Sequence, residues 1–90
     1  MAMRTVVESG DVSAKIDAES TVYPRMHEAF DALTWWLSRN PDTGELIDDY
    51  YWLYKQRGNR ELNIPSLVVV YTFDHNSVEI VSLLVRLPSL

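Results

Sequence analysis

The chain has 90 residues, of which 47% are hydrophobic, 23% charged and 11% aromatic. These values are typical of one globular domain spanning 1–90, and they exclude a disordered tail or a low-complexity linker. The absence of cysteine excludes disulfides and thiolate metal sites. No apolar run reaches the roughly 18–20 residues of a membrane helix, and residues 1–20 lack the apolar core of a secretory signal. We therefore expect a soluble, cytoplasmic protein.

The net charge of −5 is unevenly distributed along the chain. Residues 1–49 contain four Lys or Arg against ten Asp or Glu, whereas residues 50–90 contain four against three. An acidic chain is not typical of proteins that bind nucleic acid. Any face that binds an anion must therefore be built from the second half.

The first 21 residues are predicted to form a strand followed by a segment of undecided structure. The β-branched residues in 4–8 favour a short strand, and Ser9-Gly10-Asp11 is expected to end it. Hydrophobic residues alternate only weakly in residues 11–22. A loop and a short extra strand are both compatible with that pattern.

One amphipathic helix is predicted over residues 24–39. Pro24 suits the first helical position, and Asn40-Pro41 is expected to end the helix. Apolar residues at helical spacing predict the core-facing stripe, which consists of Met26, Phe30, Leu33 and Leu37, widened by Ala29, Ala32 and Trp36. Trp35 points away from the centre of that stripe.

Three strands are predicted after the helix, at residues 50–55, 67–73 and 77–86. Glu45 to Asp49 and the polar residues 56–63 are predicted loops, Asp74-His75-Asn76 is a hairpin turn, and Pro88 ends the pattern. The last three strands are expected to form an antiparallel meander. The predicted fold class is therefore α+β: a two-layer domain with one main helix packed on an antiparallel sheet of three to four strands.

Recognisable catalytic and cofactor motifs are absent from the sequence. There is no glycine-rich phosphate loop, and neither His27 nor His75 has a neighbour at metal-ligand spacing. We expect neither a cofactor nor a bound metal.

The order of segments across residues 22–87 resembles the RelE/ParE superfamily of small toxins from bacterial toxin–antitoxin pairs. The resemblance is carried by Leu37-Ser38-Arg39-Asn40-Pro41-Asp42-Thr43-Gly44, the aromatic strand, Ile64-Pro65-Ser66-Leu67-Val68-Val69-Val70-Tyr71 and Val78-Glu79-Ile80. It divides the chain into an N-terminal strand and loop, 1–21, and a toxin-like core, 22–87. The family usually has two helices and a strongly basic composition, whereas this chain is acidic and its sequence pattern predicts one helix.

The resemblance implies a metal-independent ribonuclease that acts on mRNA at the ribosome, or a gyrase-directed toxin, with an antitoxin as partner. In the ribonuclease, Arg57, Arg60 and Arg86 would hold the phosphate, and Lys55 or Tyr54 would take the proton from the RNA 2′-hydroxyl. The alternative is a non-catalytic interaction domain of the same fold, which binds a partner or a second copy as a homodimer. In that interpretation the same cations are solvated surface charges.

Overall fold

Two helices and five strands follow one another in the computed structural model, which describes residues 3–87. The elements are β1 (Thr5–Glu8), α1 (Gly10–Glu19), α2 (Met26–Arg39), β2 (Glu45–Leu46), β3 (Trp52–Gln56), β4 (Ser66–Phe73) and β5 (Ser77–Arg86). A short 3₁₀ turn, Pro41–Thr43, lies between α2 and β2. The predicted end of the strand pattern at Pro88 falls outside the described residues.

The five strands form one mixed sheet in the order β1-β5-β4-β3-β2. The predicted meander of β3, β4 and β5 is antiparallel, and β2 extends it where a loop was expected. β1 pairs in parallel with β5, so the expectation of an antiparallel sheet of three to four strands is wrong: the sheet is mixed and has five strands. The parallel pair arises because the two helices carry the chain from β1 to the rest of the sheet before the meander begins.

Helix α1 replaces the loop or extra strand expected within residues 11–22. Ser9 does not merely end β1: it is the N-cap of α1, and its hydroxyl accepts a hydrogen bond from the Val12 amide at 3.3 Å. Only Val12 and Ile16 of this helix are buried. With two buried residues four positions apart, the apolar pattern fits helical spacing and strand alternation equally well.

Helix α2 confirms the predicted amphipathic helix and its end at Arg39, but it begins at Met26 with Arg25 as its N-cap, so Pro24 is not the first helical residue. Met26, Phe30, Leu33 and Leu37 are buried, together with Ala29. Ala32 and Trp36 were expected in the core but are exposed, Trp36 by 38%. At 100° per residue Trp36 lies about 80° from the centre of the buried stripe, at its margin.

Both helices pack on one face of the sheet, which confirms the two-layer α+β arrangement. Leu67, Val69 and Tyr71 of the central strand β4 alternate into the core and are fully buried. The opposite face carries no helix among the described residues, and we call it the open face. Its members, assigned by strand register, are Thr5, Val7, Glu45, Leu53, Lys55, Ser66, Val68, Val70, Thr72, Ser77, Glu79, Ser82, Leu84 and Arg86.

The predicted hairpin turn between β4 and β5 is organised by the Asp74 carboxylate. Its Oδ1 accepts hydrogen bonds from the backbone amides of Asn76, at 2.8 Å, and Ser77, at 2.9 Å. These bonds favour the charged carboxylate and lower the pKa of Asp74. Within residues 3–87, no helix is long and apolar enough to cross a membrane.

We expect Asp74→Ala to lower the midpoint of thermal unfolding at pH 7, with a smaller effect at pH 3. The pKa of Asp74 is lower in the folded state than in the unfolded chain. Its contribution to the stability of the fold is therefore fully present above the unfolded pKa of about 3.9, and it is lost as the pH falls through the folded pKa. Asp74→Asn, which retains the acceptor oxygen, is the control. If the difference in unfolding midpoint between wild type and Asp74→Ala stayed constant from pH 7 to pH 2, this role of the Asp74 carboxylate would be contradicted.

Candidate functional site

A groove of about 640 Å³ lies on the open face, where β3 and β5 end and β4 begins. Three cationic side chains line it: Lys55, Arg57 and Arg86. The apolar side chains of Leu53, Val68 and Leu84 form its floor, and Gln56, Ser66 and Leu67 complete the lining. We call this site the basic groove.

Antiparallel register brings the three cations together from distant parts of the sequence. Lys55 is paired with Val68, and Val68 with Leu84, so these side chains form one row across the open face. Arg86 is paired with Ser66 and lies one row nearer the end of the sheet. Arg57 directly follows the last residue of β3. Three of the five predicted site residues, Lys55, Arg57 and Arg86, thus share one groove.

The cations of the basic groove have no carboxylate partner among residues 3–87. The one ion pair in that part of the chain joins Arg25 to Glu28 at 2.9 Å, far along the sequence on the helical layer. No Asp or Glu lines the groove. Three like charges without counter-charge create a local positive potential that attracts anions, although the whole chain is acidic.

The loop after β3 is held in place at Gly58, directly after Arg57, which lines the groove. The Gly58 amide donates a hydrogen bond of 2.9 Å to Ser66 Oγ. A Cβ atom at Gly58 would lie 2.1 Å from the Ile64 carbonyl oxygen, so only glycine fits there. Sequence reasoning missed Ser66, and the only signal in the sequence was a polar residue directly before a hydrophobic strand.

Arg60 lies outside the lining of the basic groove. It occupies a tight turn that is closed by two hydrogen bonds of 2.9 Å between the backbones of Asn59 and Ile64. Asn63 completes the turn with a positive φ of 54°, a conformation that asparagine tolerates. The structure therefore does not bring Arg60 to the other predicted phosphate contacts.

Tyr54 faces the helices and not the basic groove. It is paired with Val69, whose side chain is in the core, and it packs against the core residues. Burial raises the pKa of its hydroxyl. Of the two predicted proton acceptors, only Lys55 lines the groove, and no His or Tyr is among the residues that line it.

Nothing in the described part of the chain groups three His, Asp or Glu side chains as a metal site would require. No family model, no curated protein and no solved structure matches this chain. Its function is therefore inferred from the basic groove and the open face themselves.

Proposed function

We propose that this chain is a toxin-like protein of the RelE/ParE type that binds the phosphate backbone of single-stranded RNA in the basic groove. The observation that carries the proposal is the convergence of Lys55, Arg57 and Arg86, none of them paired with a carboxylate within residues 3–87. The pair of helices before the meander also supports it, because the resemblance implies two helices. An antitoxin partner remains a prediction of the same resemblance.

The chemistry of the groove suits a nucleotide backbone. Lys and Arg side chains neutralise phosphates, and the apolar floor formed by Leu53, Val68 and Leu84 offers contact to sugar and base carbon atoms. No aromatic side chain lines the groove, so base stacking, which single-stranded sites commonly use, is not part of this site. Binding by charge without stacking predicts little sequence preference.

The groove supports RNA binding more fully than RNA cleavage. In cleavage, the Lys55 ammonium would first lose a proton to water, and the 2′-oxygen would then attack the adjacent phosphorus and give its proton to that amine, while the bond from phosphorus to the 5′-oxygen breaks. Arg57 and Arg86 would stabilise the charge that develops on the phosphate. The leaving 5′-oxygen would take its proton from water, because no other acidic side chain lines the groove.

Binding is tested by fluorescence anisotropy with a labelled single-stranded RNA. We expect Lys55→Ala, Arg57→Ala and Arg86→Ala each to weaken binding about 5- to 10-fold, the loss of one charge-assisted contact. For three contacts, the logarithm of affinity should fall with the logarithm of salt concentration with a slope of about −2. Lys15→Ala, on the helical layer, is the matched control, and Arg60→Ala should behave like it.

Cleavage is tested separately, by incubating the same RNA with the protein in a metal chelator and by expressing the chain without a partner. A ribonuclease should yield fragments ending in a cyclic phosphate, slow growth, and lose activity in Lys55→Ala. Binding without fragments and without a growth defect would leave a non-catalytic protein. Equal RNA binding by the wild type and the three groove variants would contradict the proposal as a whole.

A further inference from the structure

The open face has opposite charges at its two ends along the strand direction. Paired residues form five rows across it. The first row holds Ser66 and Arg86, the second Lys55, Val68 and Leu84, the third Glu45, Leu53, Val70 and Ser82, the fourth Val7, Thr72 and Glu79, and the fifth Thr5 and Ser77. Cations therefore occupy the first two rows and carboxylates the third and fourth, with aliphatic side chains in between, and the fifth row is uncharged.

Much of the aliphatic surface on this face is accessible to solvent. Val7 is 51% exposed and Leu84 43% exposed, while Leu53, Val68 and Val70 are half-buried. An antiparallel sheet that is uncovered on one side normally presents mainly polar residues there. Exposed aliphatic residues flanked by charges are instead typical of an interface.

We propose that the open face binds the open face of a second copy of this chain, with the strands of the two copies running in opposite directions. A twofold axis that lies between the sheets, perpendicular to the strands, reverses the row order and leaves each strand facing its own counterpart. The first row then faces the fourth, and the second row faces the third. This arrangement is a sandwich of two sheets with the helices on its outer surfaces.

This packing matches unlike charges and like apolar groups. Arg86 and Glu79 both belong to β5, so Arg86 of one copy faces Glu79 of the other. Lys55 of β3 faces the row that contains Glu45, one strand away. Val68 and Val70, both on β4, face each other at the centre. The opposite choice, with strands running in the same direction, would place each row against the same row of the other copy, so that the rows with cations face each other and the rows with carboxylates face each other.

The size of the face sets the expected affinity. The four rows that face one another, separated by about 6.6 Å, and five strands separated by about 4.8 Å span roughly 20 Å by 19 Å. An area near 400 Å² per copy, or about 800 Å² in total, is smaller than the roughly 1,200–2,000 Å² of stable specific interfaces and falls among weak, transient ones. We therefore expect weak, reversible association that is detectable below about 1 mM.

The dimer would cover the basic groove, and this consequence rests on the proposed function. Lys55 and Arg86 cannot contact both RNA phosphates and the carboxylates of a second copy. RNA should therefore convert dimers into monomers bound to RNA, and dimerisation should restrain RNA binding at high protein concentration.

The arrangement is tested by sedimentation velocity over a concentration series, with charge reversal and charge exchange. Glu79→Arg and Arg86→Glu should each weaken dimerisation at least 10-fold, because each puts like charges opposite each other. The double variant Glu79→Arg, Arg86→Glu should restore the wild-type affinity to within about threefold. Asp31→Arg, on the exposed side of α2, is the matched control and should dimerise like the wild type. Circular dichroism verifies that each variant is folded.

The two proposals fail in different ways. A wild-type chain that remains monomeric to about 1 mM, or a double variant that dimerises no better than the single variants, overturns the open-face dimer even if RNA binds. A dimer with charge-exchange rescue but without RNA binding overturns the proposed function and leaves the dimer standing. If the wild-type chain both dimerises and binds RNA, the variant Glu79→Arg should bind RNA more tightly than the wild type at high protein concentration. Glu79 lies outside the basic groove.

Discussion

Gly58→Ala is expected to lower the free energy of unfolding by about 3 kcal/mol and to weaken RNA binding at the same time. A Cβ atom at this position would lie 2.1 Å from the Ile64 carbonyl oxygen and 2.5 Å from the Pro65 carbonyl carbon. Both are backbone atoms, so the neighbours cannot move aside without disturbing the loop, and overpacking of this kind is destabilising. The shift would break the hydrogen bond from the Gly58 amide to Ser66 and displace Arg57 from the basic groove.

Urea unfolding measures the stability of this variant, and RNA anisotropy measures the groove. Gly10→Ala is the matched control, because nothing lies within 4 Å of a Cβ atom at the first residue of α1. That control should be unchanged or slightly more stable, since alanine restricts the unfolded chain. If Gly58→Ala were as stable as Gly10→Ala, the close approach of the loop to residue 58 would be wrong.

Tyr71→Phe is expected to lower the free energy of unfolding by about 2 kcal/mol at neutral pH, although it removes only the hydroxyl oxygen. The Tyr71 hydroxyl is fully buried and donates a hydrogen bond of 2.5 Å to the Pro41 carbonyl oxygen. Phenylalanine would leave the Pro41 carbonyl oxygen without this partner in the core, and a buried polar group without a partner is costly.

The cost of Tyr71→Phe should decrease at alkaline pH. Burial raises the pKa of Tyr71 to about 12, whereas a tyrosine in the unfolded chain titrates near 10. The contribution of the protonated Tyr71 hydroxyl to the free energy of unfolding is therefore complete below pH 10. It is lost, by about 1.4 kcal/mol per pH unit, as the pH rises towards 12. The phenylalanine variant lacks this dependence.

Chemical unfolding at pH 8 and at pH 11.5 tests both parts of the Tyr71 prediction. Tyr50→Phe, at an exposed position, is the control and should match the wild type at both pH values. A Tyr71→Phe variant within 0.5 kcal/mol of wild type at pH 8 would show that the hydroxyl does not stabilise the Pro41–Thr43 turn.

The meander and α2 could be predicted because each has a strong local pattern. Four apolar residues at helical spacing identify the core stripe of α2, and Asp74-His75-Asn76 separates two strongly hydrophobic strands. α1 could not be predicted with the same rules. Its core-facing surface consists of Val12 and Ile16 alone, and its N-cap, Ser9, was also a plausible end of a strand. The parallel pairing of β1 depends on tertiary contacts that no local pattern encodes.

The basic groove was only partly predictable for the same reason. Strand alternation places Lys55 and Tyr54 on opposite faces of the sheet. Which of the two lines the groove depends on which face the helices cover, and that is set by the tertiary fold. Arg86 joins Lys55 through the register of β4 and β5, which the turn fixes. Arg60 was grouped with the groove from its position in sequence. The closed turn between Asn59 and Ile64 separates it from the groove in space.

The parallel pair of β1 and β5 has a consequence for folding during synthesis. Thr5 is paired with Ser77, so β1 leaves the ribosome about 70 residues before the strand with which it pairs. At 5–20 residues per second, β1 waits for roughly 4–14 s without its neighbour. During that interval α1 and α2 can form local structure, but the final sheet cannot be completed. We therefore expect nascent chains that are arrested before residue 77 to be protease-sensitive.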